Sequence, residues 1–342
     1  MPPREPPKLA RTWSDETRTR RIFIVAGLVL GLAACPSIEP PAGGLCVEIA
    51  PAVPLVSAHR GGAAYAPEDT LLAFQNAVRL GVDELEMDTQ LTSDNQLVII
   101  HDDSLDRTTN CAGDVISMTL AQVQACDAAH WFSPGQPTTV VSMDAPHPLR
   151  GAGVKVPALR EVLDWYQTLT CNPPRLSIEI KNVLLESNFD PVGDKIARVL
   201  LPLLAEYGLE EQIVIQSFWP VTLIQVKLLN PRLKTQFLTA SSFATTAVVN
   251  LAFIVATGHD ISAPNFDAPD FDASFVELAH AVGKAVIPYT VDTAADQRAV
   301  VDFGVDGLIT NFPGCLLQTL GRATPAKMTP DGTPDTPACP AP

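Results

Sequence analysis

The chain has 342 residues, of which 46% are hydrophobic and 18% charged; this excludes a solvated, disordered polymer and is enough for a large domain with a sizeable core. Its 38 acidic against 23 basic side chains give a net charge of −15. That balance argues against nucleic acid as a partner, because affinity for phosphate backbones comes from lysine and arginine.

In chain order the first element is an address. Arg11, Arg18, Arg20 and Arg21 precede the apolar run IFIVAGLVLGLAA at 22–34. The run is shorter than the roughly 20 residues of a membrane-spanning helix and matches a signal-peptide core. It closes on Leu32-Ala33-Ala34-Cys35, a string that resembles the lipobox of bacterial lipoproteins. The resemblance implies a signal peptide at 1–34, lipid on Cys35, and an exported chain held to a membrane face in the periplasm or at the cell surface. An ordinary secretory signal or an uncleaved anchor is the alternative. Removing 1–34 takes away six basic and three acidic side chains and leaves 35 acidic against 17 basic, a net −18. Residues 35–50, with PSIEPPAGG, read as a semi-rigid tether.

From 51 to 321 the pattern alternates. Apolar, β-rich runs appear at 54–58 (PLVSA), 84–90 (ELEMDTQ) continued by 96–101 (QLVIIH), 175–181 (RLSIEIK), 212–218 (QIVIQSF), 233–239 (LKTQFLT), 260–266 (DISAPNF), 284–291 (KAVIPYTV) and 306–312 (DGLITNF). Between most of them lie segments of helical spacing, such as DTLLAFQNAVRLG, ALREVLDWYQTL, WPVTLIQVKLLN and SFVELAHAVG. Eight strand units interleaved with helices predict the α/β class and a TIM-type (β/α)8 barrel. An open doubly wound sheet is the alternative, but no glycine-rich dinucleotide fingerprint or phosphate loop follows any strand.

Residues 103–156 break the rhythm after the second strand unit and read as a small insertion, a lid or specificity element. Cys111 and Cys126 both lie in it and are the expected disulfide pair. Cys46, Cys171, Cys315 and Cys339 complete six cysteines beyond Cys35, an even number suited to an exported chain. No Cys-x-x-Cys spacing points to zinc. The Pro- and Thr-rich tail at 322–342 carries no packing signal and is expected to be disordered.

In such a barrel the chemistry sits where strands end, so polar residues in or just after the apolar runs are the candidates. They are His59-Arg60, Glu86 with Asp88, His101-Asp102, Glu179 with Lys181, Gln216, Asn265 with Asp267, and Tyr289. A single pair such as Glu179 and Lys181 also reads as an internal ion pair, and a lone strand-end histidine as a hydrogen-bonded structural one. Barrel strands are covered on both faces, however, and inward carboxylates on adjacent strands repel without a cation. Glu86, Asp88 and Glu179 therefore point to a hard divalent ion, Ca²⁺ or Mg²⁺. His59 and His101 beside it, with Arg60 and Lys181, suggest acid–base chemistry on a phosphate ester. Gln216 and Tyr289 are expected to line the substrate.

The stretch AHRGGAAYAPEDTLLAFQNAVRLGVDELEMDTQLTSDNQLVIIHDDSLDRTTN resembles the opening of the glycerophosphodiester phosphodiesterase family: His-Arg-Gly, Pro-Glu-Asn-Thr, Glu-x-Asp, His-Asp, then Leu-x-Arg-Thr-Thr. SIEIK resembles its later Glu-x-Lys strand and GVDGLITNFP its closing strand, so the likeness runs over about 54–321. It implies that Glu86, Asp88 and Glu179 are metal ligands, His59 and His101 the acid–base pair, Arg60 and Lys181 phosphate-facing cations, and Glu68 a supporting residue. The implied reaction is metal-dependent hydrolysis of small-molecule glycerophosphodiesters to glycerol 3-phosphate and an alcohol, with the substrate's neighbouring hydroxyl as a plausible first nucleophile. A related barrel phospholipase C or D acting on intact phospholipids, or a non-catalytic surface-binding lipoprotein, is the alternative. Asp69 departs from the family's Asn, Tyr289 from its Trp, and Asn311 from the Asp common before the final Pro.

Overall fold

A computed structural model describes residues 54–136, 149–170, 172–240, 246–322 and 339–340. The signal segment 1–34, Cys35 and the tether 35–50 lie outside the described residues. The strands are β1 (Leu55–Ala58), β2 (Glu84–Leu91), β3 (Leu97–Ile99), β4 (Arg175–Ile180), β5 (Ile213–Ser217), β6 (Lys234–Thr239), β7 (Ile261–Pro264), β8 (Ala285–Val286) and β9 (Gly307–Thr310). The helices are α1 (Leu71–Leu80), α2 (Leu120–Val123), α3 (Leu159–Tyr166), α4 (Lys195–Tyr207), α5 (Pro220–Leu229), α6 (Ala247–Thr257), α7 (Ala273–Ala281), α8 (Ala294–Asp302) and α9 (Pro313–Thr319).

The strands run in the order β8-β7-β6-β5-β4-β2-β1-β9, each pair parallel, and β3 attaches antiparallel to β2. Backbone bonds then bring the two ends of the sheet together. Asp306 N donates to Val286 O (2.9 Å), Ile309 N to Pro288 O (3.0 Å) and Val291 N to Ile309 O (2.9 Å). The result is a nearly closed parallel barrel with helices outside, as the alternation predicts. β8 is shorter than the expected 284–291, since Pro288 has no N–H to give the ladder. The chain beyond it keeps a single bridge between Tyr289 and Asn265.

Local chemistry fixes the elements around the site. The Thr70 hydroxyl accepts the Ala73 N–H (3.2 Å) and starts α1, which buries Ala73, Phe74, Ala77 and Leu80 along one stripe and ends at Gly81. After β1 the chain makes a tight turn through His59–Gly61, with Arg60 at φ 51° and Gly61 at φ 79°. A Cβ on Gly61 would lie 2.7 Å from the Ala73 Cβ, so only glycine lets this turn press against α1.

Two apolar regions support the barrel. The larger lies between helices and the outer strand faces and includes Val56, Leu85, Met87, Ile178 and Ile215. The smaller fills the lower interior with Leu55, Val214, Ile261, Ile287 and Ile309. Each large aliphatic side chain buried this way contributes about 1.5–3 kcal/mol.

The insertion packs Leu105, Val115, Val123, Cys126 and Val156 into a small core with Val98 and Ile100 at the end of β3. It is stapled by the expected Cys111–Cys126 disulfide; its residues 137–148 lie outside the described ones. The tail departs from expectation at one point. Cys339 is bonded to Cys315, which is buried in α9, and packs against the main core. Residues 323–338 and 341–342 lie outside the described residues. Among the described residues no helix is long and apolar enough to cross a membrane.

Candidate active site

Register builds the site. Asp88 on β2 is paired with Glu179 on β4, Glu179 with Gln216 on β5, and Gln216 with Gln236 on β6, so one inward row carries all four across neighbouring strands. Two residues back on β2, Glu86 shares that inward face. Glu86, Asp88 and Glu179 each offer an oxygen within 4.8 Å of the others, and all three are buried.

The carboxylates differ in how they are held. Glu86 accepts the Arg60 backbone N–H (2.8 Å) and the Gln216 side-chain amide (2.7 Å). Gln216 in turn accepts from Gln236 (2.9 Å). Burial, then Asp88 and Glu179, push the pKa of Glu86 up. Burial also pushes Glu179 up to about 8, with Lys181 opposing the shift. Burial likewise disfavours ionised Asp88, but Lys181, His101 and Arg60 outweigh it and hold its pKa below the usual carboxylate range. Arg60 Nε lies 3.2 Å from Asp88, and Lys181 Nζ 3.0 Å from Glu179 and 3.7 Å from Asp88. These cations supply charge, yet both Asp88 oxygens and Glu179 Oε1 are buried without a well-aligned hydrogen bond. An all-oxygen cluster with unused lone pairs fits a hard divalent cation.

Both histidines flank this cluster, close enough that Asp88 pulls on the pKa of each. His59 Nδ1 meets Asn311 Oδ1 at 2.7 Å, and its Nε2 lies 4.0 Å from Glu86. Burial and the Arg60 charge take its pKa down to about 3, so the ring is neutral. His101 Nδ1 meets Asp102 at 2.6 Å. Burial, Lys181 and Arg60 lower its pKa too, against the pull of Asp88 and Asp102. Arg107 binds Asp102 through Nε (2.8 Å) and Nη2 (3.0 Å), and binds Glu68 at 2.6 and 2.9 Å. Glu68 also accepts from Arg60 at 2.8 Å. Burial opposes the charge on Glu68, but the two arginines win and take its pKa down to about 2. A continuous chain of charge-assisted bonds thus links His101 to Arg60.

The sequence-predicted residues fall into two groups. His59, His101, Glu86, Asp88, Glu179, Arg60 and Lys181 converge. Glu68 and Gln216 stand beside them with their polar atoms already engaged inside the protein, Glu68 by two arginines and Gln216 by Glu86 and Gln236. Tyr289 uses its hydroxyl on the Thr239 carbonyl (3.0 Å) and sets its ring edge-on to Phe218. Asn265 and Asp267 form a turn after β7, where Asp267 N donates to Asn265 Oδ1 (2.9 Å).

Sequence reasoning passed over Arg107, Gln236 and Asp292, and treated Asn311 only as a departure. Asp69, the other buried departure, accepts the Asp88 backbone N–H through Oδ1 (3.3 Å), while its Oδ2 has no hydrogen-bond partner. Arg107 stood in the quoted run LDRTTN, the one signal that could have found it. Asp292 and Gln236 left no comparable mark, because their partners are remote in the chain.

Residues 59–315 match the model of the Glycerophosphoryl diester phosphodiesterase family. A glycerophosphodiester phosphodiesterase of Bacillus subtilis (strain 168) is 32% identical over 303 residues, covering 86% of this chain and 96% of its own. One from Caldanaerobacter subterraneus is 31% identical over 268 residues, covering 78% and 98%. Among solved structures, an Oleispira antarctica phosphodiesterase in complex with the product sn-glycerol-3-phosphate superposes with a TM-score of 0.65 at 21% identity, over 79% of this chain and 97% of that one.

Proposed function

The chain belongs to the glycerophosphoryl diester phosphodiesterase family and is a glycerophosphodiester phosphodiesterase; on that premise we propose that it cleaves small glycerophosphodiesters to sn-glycerol 3-phosphate and the free alcohol by proton exchange at His59 and His101. The observation that carries this reading is the convergence of two imidazoles, each anchored through Nδ1, on one cluster of three carboxylates.

The two anchors differ, and the difference supports an order for the pair. Asn311 offers His59 a neutral carbonyl, which favours the uncharged ring with a bare Nε2 suited to taking a proton. Asp102, tied to Arg107, offers His101 a carboxylate that pulls toward the imidazolium against the burial and cations that lower its pKa, and so supports His101 as the group that gives a proton to the departing alcohol oxygen. His59 then deprotonates the substrate's neighbouring hydroxyl, which attacks phosphorus to give a cyclic phosphate. Opening of that ring by water reverses the roles, with His101 as base and His59 as acid.

Glu86, Asp88 and Glu179 would hold a divalent cation, Ca²⁺ or Mg²⁺, which when bound supplies positive charge to the phosphate oxygens. Arg60 and Lys181 lie against the same carboxylates and add to that field. Gln216 and the Arg60 N–H fix the orientation of Glu86. The lipobox-like string at Cys35 supports an exported, lipid-anchored protein, and the Cys111–Cys126 and Cys315–Cys339 disulfides suit an oxidising compartment.

The test is a product assay on glycerophosphocholine and glycerophosphoethanolamine after chelation and after adding back Ca²⁺ or Mg²⁺. The chelated chain should be inactive, and the cation should restore release of sn-glycerol 3-phosphate with the free base. Full turnover after exhaustive chelation would remove the metal from the reading. Release of phosphocholine in place of choline, or preference for phosphatidylcholine vesicles, would point instead to a phospholipase.

A further inference from the structure

Beyond the residues that meet the carboxylate cluster, the segment after β8 and the end of β9 come together beneath His59. Asp292 sits at that junction. Its Oδ1 accepts the Asn311 backbone N–H (2.9 Å) and the Thr310 hydroxyl (3.2 Å), and its Oδ2 accepts the Asn311 side-chain N–H (2.8 Å). Thr310 Oγ1 itself accepts from Gln297 (3.2 Å) and from the Phe312 N–H (3.0 Å), so the one proton it can give goes to Asp292. Gln297 is fully buried and also binds the Val291 carbonyl (3.1 Å), which fixes the turn that carries Asp292.

The consequence runs through an amide. A carboxylate with these donors around it only accepts, so the NH₂ end of Asn311 must face Asp292 and its oxygen must face His59. That oxygen, 2.7 Å from His59 Nδ1, accepts and cannot give. The ring proton is therefore on Nδ1, and Nε2, the nitrogen 4.0 Å from Glu86, keeps its lone pair. The two ends of an asparagine amide are nearly the same size, so packing alone does not choose between them; the charge on Asp292 does.

We propose that Asp292 is a positioning residue that acts through Asn311 to hold His59 in the tautomer protonated on Nδ1. The proposal rests on the reading that His59 exchanges protons at Nε2, but its readout does not. Asp292→Asn keeps the shape of the side chain while replacing one acceptor by a donor. Asn311 then relieves the clash of two NH₂ groups by turning over, presents N–H to His59 Nδ1 and drives the ring proton to Nε2.

Long-range ¹H–¹⁵N correlation spectra of ¹⁵N-histidine-labelled full chain, with the His59 signals assigned by their loss in His59→Ala, read the tautomer directly. Wild type should show Nδ1 protonated, and Asp292→Asn should shift the pattern toward protonated Nε2. In the same variant kcat should fall on the order of 10–100-fold, as for other residues that orient a reacting group from behind, while KM stays within about twofold. The reciprocal exchange, Asp292→Asn with Asn311→Asp, puts the amide behind and the carboxylate against His59; it should restore the Nδ1–H tautomer and most of kcat. An unchanged His59 tautomer in a folded Asp292→Asn protein overturns the proposal, as does an exchanged pair that stays at the single variant's kcat. Full activity in His59→Ala would sink the proton-exchange reading and leave the tautomer assignment standing.

Discussion

Along the β5, β8 and β9 runs the barrel interior has two layers of opposite character, whereas β2 and β4 are polar at both levels, with buried Glu84 and Ser177 two residues before Glu86 and Glu179. The lower layer is Leu55, Val214, Ile261, Ile287 and Ile309. One inward step further toward the strand ends, Val214 gives way to Gln216, Ile287 to Tyr289 and Ile309 to Asn311, among Glu86, Asp88 and Glu179. Because side chains alternate with a period of two, the backbone that buries an aliphatic plug below delivers polar groups above without any change of course. The lower layer stabilises the barrel. The upper layer spends part of that stability, since it keeps buried carboxylate oxygens short of hydrogen bonds.

The largest expected effect tests the upper layer. His59→Ala and His101→Ala should each lower kcat by on the order of 10²–10⁴-fold, measured as release of sn-glycerol 3-phosphate by protein that still melts cooperatively. Only 14% and 30% of the two side-chain surfaces are open, so each truncation also removes some ring packing, and the melt separates that cost from the loss of rate. A near-normal rate in either variant would break the division of labour. In the lower layer the signs reverse. Ile309→Ala should cost about 2–4 kcal/mol of unfolding free energy, read by denaturant titration, and leave kcat within a few-fold. A loss of activity there without a loss of stability would mean that the plug, too, takes part in the chemistry.

Much of this contrast was legible in the sequence, and the reasons are physical. Strands covered on both faces have no solvent for Glu86, Asp88 or Glu179 to reach, so a carboxylate in such a run stands out. Helices with one apolar stripe, such as α1, announce themselves by period. α6 does not: AVVNLAFIVAT is apolar on every side and rich in β-branched residues, so it shows neither a stripe nor strand alternation. α8, AADQRAVVD, is short, and its apolar residues are alanines and valines, of which Val300 is buried and Ala294 and Val301 are partly buried against the core, too small a set to mark a stripe. The Cys315–Cys339 bridge closes a tail of low-complexity composition that reads as free. The support behind His59 was invisible because Asn311 is 252 residues away, and one hydrogen bond across such a distance leaves no period or spacing to detect.

The smallest effect sharpens the comparison most, because it asks what the upper layer costs. Glu179 is buried, and its pKa is pushed up to about 8, chiefly by that burial. The unfolded chain releases this proton near the ordinary carboxylate value of about 4.3. Between those two values the folded protein holds more protons than the unfolded one, so stability falls as pH rises through this window. Glu179→Gln removes the titration, and in chelator-treated protein the variant should match wild type near pH 5 and exceed it in stability at pH 8. The ion pair with Lys181 is lost in the exchange, which limits the gain. Adding Ca²⁺ or Mg²⁺ should invert the order, since the cation stabilises the protein that keeps all three carboxylates. Thermal melts at both pH values, with and without cation, read all four terms. A chelated variant less stable than wild type at pH 8 would mean that Lys181 already compensates Glu179 in full, and that the upper layer carries no stored cost for a metal to relieve.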